Sequence, residues 1–267
     1  MHQDGNRMNT NNNTVVYIQI EGLIGVGKSS LIQNLAERPY EEGRNRTTIV
    51  MDQPEDIGTW NFSATPGTNG LLDEFLDTKD SGTNSELTTA ASLQAVIFSS
   101  FLRQGRETAN MIECNQQFGD VIIIQERSLR ASANVFLPLQ RVKQEDRNML
   151  EALGAEIEKR LPEPDLVFYL EASPEVCLTR TQERGRKYED NYTLEYYYEM
   201  ENLYSKLLHD YGMEGKLHRI GEFKHEINNT RIKIAARQIL SVCWKKLDEK
   251  KKIRDNHAEG DEHRIEL

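Results

Sequence analysis

Cysteine is scarce in this chain. Three occur in 267 residues, Cys114, Cys177 and Cys243, and no two form a C-x-x-C pair. A disulfide framework or a structural zinc site is therefore not expected, and a reducing cytosol fits. Long apolar runs are also missing: no stretch approaches the roughly 18 to 20 residues of a helical membrane span, so no membrane association is expected. Residues 1–13 are polar and Asn-rich. They hold no apolar segment of the signal-peptide kind, so a cytoplasmic location is expected, with a mitochondrial one left open. Positive charge is in deficit, with 33 Lys and Arg against 43 Asp and Glu for a net charge of -10. Such a chain repels nucleic acid polymers rather than wrapping them. A ligand with several phosphates would need a strongly positive local site.

Hydrophobic residues make up 37 % of the chain and charged residues 28 %, values ordinary for one sizeable globular domain. The reading is a disordered tail at 1–13, a single domain at 14–247, and a charged tail at 248–267 that starts as a solvated helix end. Strands are expected at 15–20, 48–51, 121–125, 166–170 and 217–220. The run Val121-Ile122-Ile123-Ile124 is continuous and β-branched, as in a parallel strand covered on both faces. Helical patterns at 29–38, 88–117, 144–160, 174–184, 194–210 and 227–247 alternate with the strands. That order predicts a parallel α/β sheet with right-handed crossovers. Residues 58–85, rich in Gly, Asn, Thr and Ser, read as loop with one short helix near 71–76.

Gly22-Leu23-Ile24-Gly25-Val26-Gly27-Lys28-Ser29 matches G-x-x-x-x-G-K-[ST] at every fixed position. It lies between an expected strand and an expected helix, the context the mechanism demands. Gly22, Gly25 and Gly27 let backbone N–H groups converge on phosphate oxygens, and the helix N-terminus adds partial positive charge. Lys28 would reach the β- and γ-phosphates of ATP, and the Ser29 hydroxyl, followed by Ser30, would ligate Mg²⁺.

Glu126-Arg127-Ser128 stands at the carboxyl end of the 121–125 strand, where ligands of open α/β sheets collect. Glu126 can hold Mg²⁺ directly or through water, and Arg127 can pair with phosphate. A surface salt bridge is the plain alternative. Further on, Arg180 and Arg184 lie one helical turn apart, and Arg186 follows Gly185. Three arginines beside a helix-breaking glycine suit a clamp on a transferring phosphoryl group. They suit a solvated basic helix end equally well.

Together these segments resemble the deoxyribonucleoside kinase family, which contains deoxycytidine, deoxyguanosine and mitochondrial thymidine kinases. The likeness rests on 20–29, on Glu126-Arg127-Ser128 with Phe136, on 165–178, on Arg184-Gly185-Arg186 and on the helix 192–208. It implies a three-layer α/β P-loop kinase fold with a parallel five-stranded sheet and a helical lid. It further implies a homodimer, ATP and Mg²⁺ as cofactors, and a nucleoside as the small-molecule substrate. In this reading Arg127 touches the substrate 5′ region and the catalytic base. Arg180, Arg184 and Arg186 are lid residues on the donor phosphates. Glu189 bonds the sugar 3′-hydroxyl, Gln94 contacts the base, and Trp60 and Phe136 line the base pocket.

The chain departs from the family where the second strand should end in Glu-Pro. Here the stretch is Asp52-Gln53-Pro54-Glu55-Asp56. Gln53 stands in the place of the catalytic base, and a neutral amide cannot accept a proton as a carboxylate does. Asp52, Glu55 and Asp56 are the candidate substitutes. Leu76 stands near the family's sugar-binding tyrosine, and Ile97, Phe101 and Ser132 fill base-pocket positions. The fuller, apolar pocket leans towards a pyrimidine. The expected reaction is phosphorylation of a deoxyribonucleoside 5′-hydroxyl in nucleotide salvage. A nucleoside monophosphate kinase resembling thymidylate kinase, and a catalytically weak binding subunit, are the alternatives.

Overall fold

The computed structural model describes residues 14–37, 46–51, 84–114, 119–186, 189–224 and 227–262. Among them, five strands form one sheet: β1 (Val15–Glu21), β2 (Arg46–Met51), β3 (Asp120–Glu126), β4 (Leu166–Leu170) and β5 (Leu217–Ile220). Their order is β2-β3-β1-β4-β5, and every pairing is parallel. The helices are α1 (Lys28–Ala36), α2 (Asn84–Glu113), α3 (Gln144–Glu158), α4 (Pro174–Arg184), α5 (Leu194–Met213) and α6 (Asn229–Glu262). None among the described residues is long and apolar enough to cross a membrane. The short helix expected near 71–76 lies outside the described residues.

Strand alternation explains the layering. Val16, Ile18, Ile20, Ile122 and Ile124 share a core with Leu31 and Leu35 of α1 and with Ala235, Ile239 and Cys243 of α6. Tyr17, Val121 and Ile123 point the other way, against Met111 and Ile112 of α2. Every residue of β3 is buried, which is why its sequence is an unbroken β-branched run. The register pairs Ile20 with Glu126, so the carboxyl ends of the two central strands finish side by side.

Two elements differ from the sequence reading. After β3 the chain forms a turn, Leu129–Ala131, capped by the Ser128 hydroxyl, which accepts from the Ala131 N–H. This turn runs on into a π-type turn, Ser132–Phe136. The second difference is in α6: the helix end expected to be solvated from 248 runs on to Glu262 and is tied to the sheet. The Lys250 ammonium donates to both oxygens of Asp165 at 2.7 and 2.8 Å and to the Val15 carbonyl at 2.9 Å. Lys251 pairs with Asp120 at 2.5 Å, and Arg254 donates to the Thr14 hydroxyl at 3.0 Å. The charges that read as a solvated face are anchors on the amino ends of β1, β3 and β4.

Asp165 also accepts from the Tyr17 N–H at 2.9 Å, while its own N–H donates to the Tyr17 carbonyl at 2.7 Å. Asp165→Ala is expected to cost about 1–3 kcal/mol, because it strands the Tyr17 N–H and leaves the Lys250 ammonium with the Val15 carbonyl in place of a carboxylate. Urea unfolding measures this, and an unchanged midpoint would show the tie to be idle.

Candidate active site

The loop between β1 and α1 is built on left-handed glycines. Gly25 has φ +78° and Gly27 has φ +111°. A Cβ on Gly25 would lie 2.5 Å from the Cys177 carbonyl oxygen, and one on Gly27 would lie 2.6 Å from Ile227. Both conformation and space therefore call for glycine. Gly27 is the N-cap of α1, and no side chain caps the helix there. The first N–H groups of α1 are thus left available to an anion. Lys28 is almost fully buried, and its ammonium donates to the Gly22 and Leu23 carbonyls at 3.0 Å each. Ser29 and Ser30 follow on the exposed side of the first helical turn.

The end of β3 meets this loop. The Ser29 hydroxyl donates to Glu126 Oε2 at 3.4 Å. Arg127 has φ +64°, the only positive φ at a non-glycine among the described residues. Its N–H donates to the Ile20 carbonyl at 2.9 Å, which locks the turn onto β1. Its guanidinium lies over the Phe136 ring, 4.3 Å from the centroid. Lys28, Ser29, Glu126, Arg127 and Phe136 are thus brought together by the ends of two adjacent strands.

Gln94 of α2 is fully buried. The Ser132 hydroxyl donates to its Oε1 at 3.2 Å, while its Nε2 has no partner among the described residues. A buried amide with an idle donor is what a pocket offers to a ligand that carries an acceptor. Ile97 and Phe101, on the same helix, are also buried. Arg180 donates to the Val26 carbonyl at 3.3 Å and to the Phe223 carbonyl at 3.1 Å, and so braces the glycine loop. Arg184 forms a two-pronged pair with Glu189, at 2.6 and 3.1 Å, and Arg186 is exposed. Asp52, Gln53 and Trp60 lie outside the described residues.

A sequence profile of deoxynucleoside kinases matches residues 18–241. The chain belongs to the deoxynucleoside kinase family. Membership makes it a nucleoside kinase. No curated protein sequence matches it significantly. Among solved structures it resembles deoxyadenosine kinase from M. mycoides, determined with dCMP and a flexible dCDP bound as products. The TM-score is 0.59 at 16 % identity, over 85 % of this chain and 100 % of that one. At that identity the likeness speaks for the fold.

The donors present fit the group the family uses. No cluster of three or more His, Cys, Asp or Glu suited to a metal occurs among the described residues. A hydroxyl and one carboxylate, Ser29 and Glu126, do stand 3.4 Å apart. This sparse set suits Mg²⁺, which keeps its waters and takes the rest of its ligands from substrate phosphates.

Sequence reasoning missed a buried polar layer beneath the site. Tyr17, Gln19 and Glu21 alternate along β1 and are all buried. The Tyr17 hydroxyl bonds Gln125, Gln19 Nε2 donates to Tyr17 at 3.0 Å, and the Tyr211 hydroxyl donates to Ser128 at 3.3 Å. Burial pushes the Glu21 carboxyl up to about 7, against the opposing pull of Ser128, Arg127, Lys28 and Tyr204. Polar residues at every second place in a strand with no exposed face were the available signal.

Proposed function

We propose that the chain transfers the γ-phosphoryl group of ATP to the 5′-hydroxyl of a deoxyribonucleoside. The observation that carries this reading is the meeting of Lys28, Ser29, Glu126 and Arg127 at the adjoining ends of β1 and β3. Phosphoryl transfer depends on positioning and on charge stabilisation more than on covalent chemistry. The glycine loop and the first amides of α1 would hold the donor phosphates, with Lys28 supplying the positive charge that the acidic surface lacks. Ser29 and Glu126 would hold Mg²⁺, which would supply positive charge against the phosphates. Arg127, pinned over Phe136, would hold the acceptor's 5′ region.

Gln94 supports base recognition, because its Nε2 donor is unspent among the described residues while Ser132 occupies Oε1. The apolar Ile97 and Phe101, at base-pocket positions by the family resemblance, lean the reading towards a pyrimidine. Arg180, Arg184 and Arg186 form the lid in this reading, and Glu189 exchanges its bond to Arg184 for the sugar 3′-hydroxyl. The three-layer P-loop architecture and a homodimer belong to the same proposal, on the family resemblance. The proton acceptor is Asp52, Glu55 or Asp56, since Gln53 cannot ionise.

The test is a panel of the four deoxyribonucleosides and thymidylate with labelled ATP and Mg²⁺. Turnover with a pyrimidine deoxyribonucleoside preferred is the expected result. Turnover of thymidylate alone would move the chain to monophosphate kinases, and silence across the panel would point to a binding subunit. In the same assay, amide variants of Asp52, Glu55 and Asp56 identify the proton acceptor by a fall in kcat of about 10²-fold or more.

A further inference from the structure

Glu21 is fully buried, and it faces two buried cations. Lys28 and Arg127 are 4 % and 6 % exposed, and the charge of each acts on its carboxylate. One hydroxyl joins the acid to the arginine. The Tyr204 O–H has a single proton, which it donates to Glu21 Oε2 at 3.1 Å, and its oxygen accepts from Arg127 Nη1 at 3.5 Å. Tyr204 also sets its ring edge-on to Phe136, at 6.4 Å between centroids, while Phe136 supports the face of the guanidinium. The side chain of Arg127 is therefore fixed by a ring face and a hydroxyl, and its backbone by the bond to Ile20.

A purely structural role does not account for this acid. A buried carboxylate is costly unless it is paired and fully hydrogen-bonded, and an apolar residue commonly serves a core better. Among the described residues Glu21 Oε1 has no hydrogen-bond partner, although the Ser128 hydroxyl also acts on the carboxyl. The arrangement makes sense if the acid is needed where it stands, as the acceptor that fixes Tyr204 against an arginine that must be immobile before the substrates arrive. We propose that Glu21 and Tyr204 are positioning residues for phosphoryl transfer, holding the Arg127 guanidinium at the end of β3. The assignment rests on the kinase reading above.

Glu21→Gln keeps the shape of the side chain and removes its charge. Tyr204→Phe keeps the ring and removes the link. Each is expected to lower kcat by about tenfold or more while KM for nucleoside and for ATP stays within about threefold, the signature of a group needed in the transition state. The double variant should fall little below the worse single one, because the two act through the same arginine. Thermal unfolding run alongside separates this from loss of folded protein, and Tyr204→Phe keeps the test open should Glu21→Gln fold poorly. Unchanged kcat in both folded variants, or a loss that only tracks the folded fraction, overturns the proposal. Side-chain nitrogen NMR, with Arg127 assigned through Arg127→Lys, gives a readout that needs no turnover. A held guanidinium shows resolved Nη protons in the wild type that average on Glu21→Gln or Tyr204→Phe. If the wild type phosphorylates nothing, the kinase reading fails. In that case averaged wild-type signals, or signals indifferent to both changes, overturn the positioning role by themselves.

Discussion

Lys28→Ala is expected to lower kcat/KM on the order of 10³-fold, the scale on which single preorganised charges act in phosphoryl and acyl transfer. The ammonium is held by the Gly22 and Leu23 carbonyls, so it waits inside the loop rather than ranging over the surface. Removing it leaves the first amides of α1 as the loop's remaining source of positive potential. Lys28→Arg should fare little better. The site is 4 % exposed, and a planar fork cannot replace a compact point charge there. The fold should survive both changes, because α1 is fixed by Leu31, Ile32 and Leu35 in the core. Steady-state phosphorylation with parallel melting curves makes the measurement. Wild-type turnover by a folded Lys28→Ala protein would remove this lysine from the reaction.

The parts of the molecule legible from sequence are those set by local rules. The β-branched run at 121–124 marks a strand buried on both faces, and Gly22, Gly25 and Gly27 before Lys28 mark a loop of special backbone conformation. What stayed hidden is set by contacts between distant residues. The bond from Tyr204 to Glu21 spans 183 positions and the one from Arg127 to Tyr204 spans 77. No local pattern announces either. The left-handed backbone of Arg127 was equally unreadable, because side-chain type does not favour it and tertiary contacts impose it. Lys250, Lys251 and Arg254 looked like a solvated face for the same reason, since Asp165 and Asp120 lie far away in the chain.

The polar layer under the site also sets how the two halves of the reaction are tied together. Ser128 caps the turn that carries Ser132 and Phe136, and it accepts from Tyr211 of α5. Ser132 in turn orients Gln94 of α2. Residues assigned to the base and residues assigned to the phosphate are thus joined through one short segment after β3. Precision at both ends depends on α2 and α5 packing against the same few residues.

Gly25→Ala should break the site from the other direction, through the backbone. The position has φ +78°, and the added methyl would come within 2.4 Å of the Thr181 hydroxyl and 2.5 Å of the Cys177 carbonyl oxygen. The hydroxyl can rotate away, but the carbonyl belongs to the backbone of α4 and cannot move without the helix. Strain at such a φ costs about 1–3 kcal/mol before any clash is counted. The loop must therefore lift off α4, which scatters the amides that should converge on phosphate. The expected result is ATP affinity weakened by about 10²-fold or more, equivalent to roughly 3 kcal/mol, with a loss of stability of about 2–4 kcal/mol from strain and overpacking. Titration with a fluorescent ATP analogue and urea unfolding read the two effects separately. A Thr181→Ala change added to Gly25→Ala distinguishes the causes. It removes the 2.4 Å contact and leaves the 2.5 Å one, so binding should stay weak. Recovery of wild-type affinity in the double variant would show that the hydroxyl, and not the loop backbone, was the obstacle.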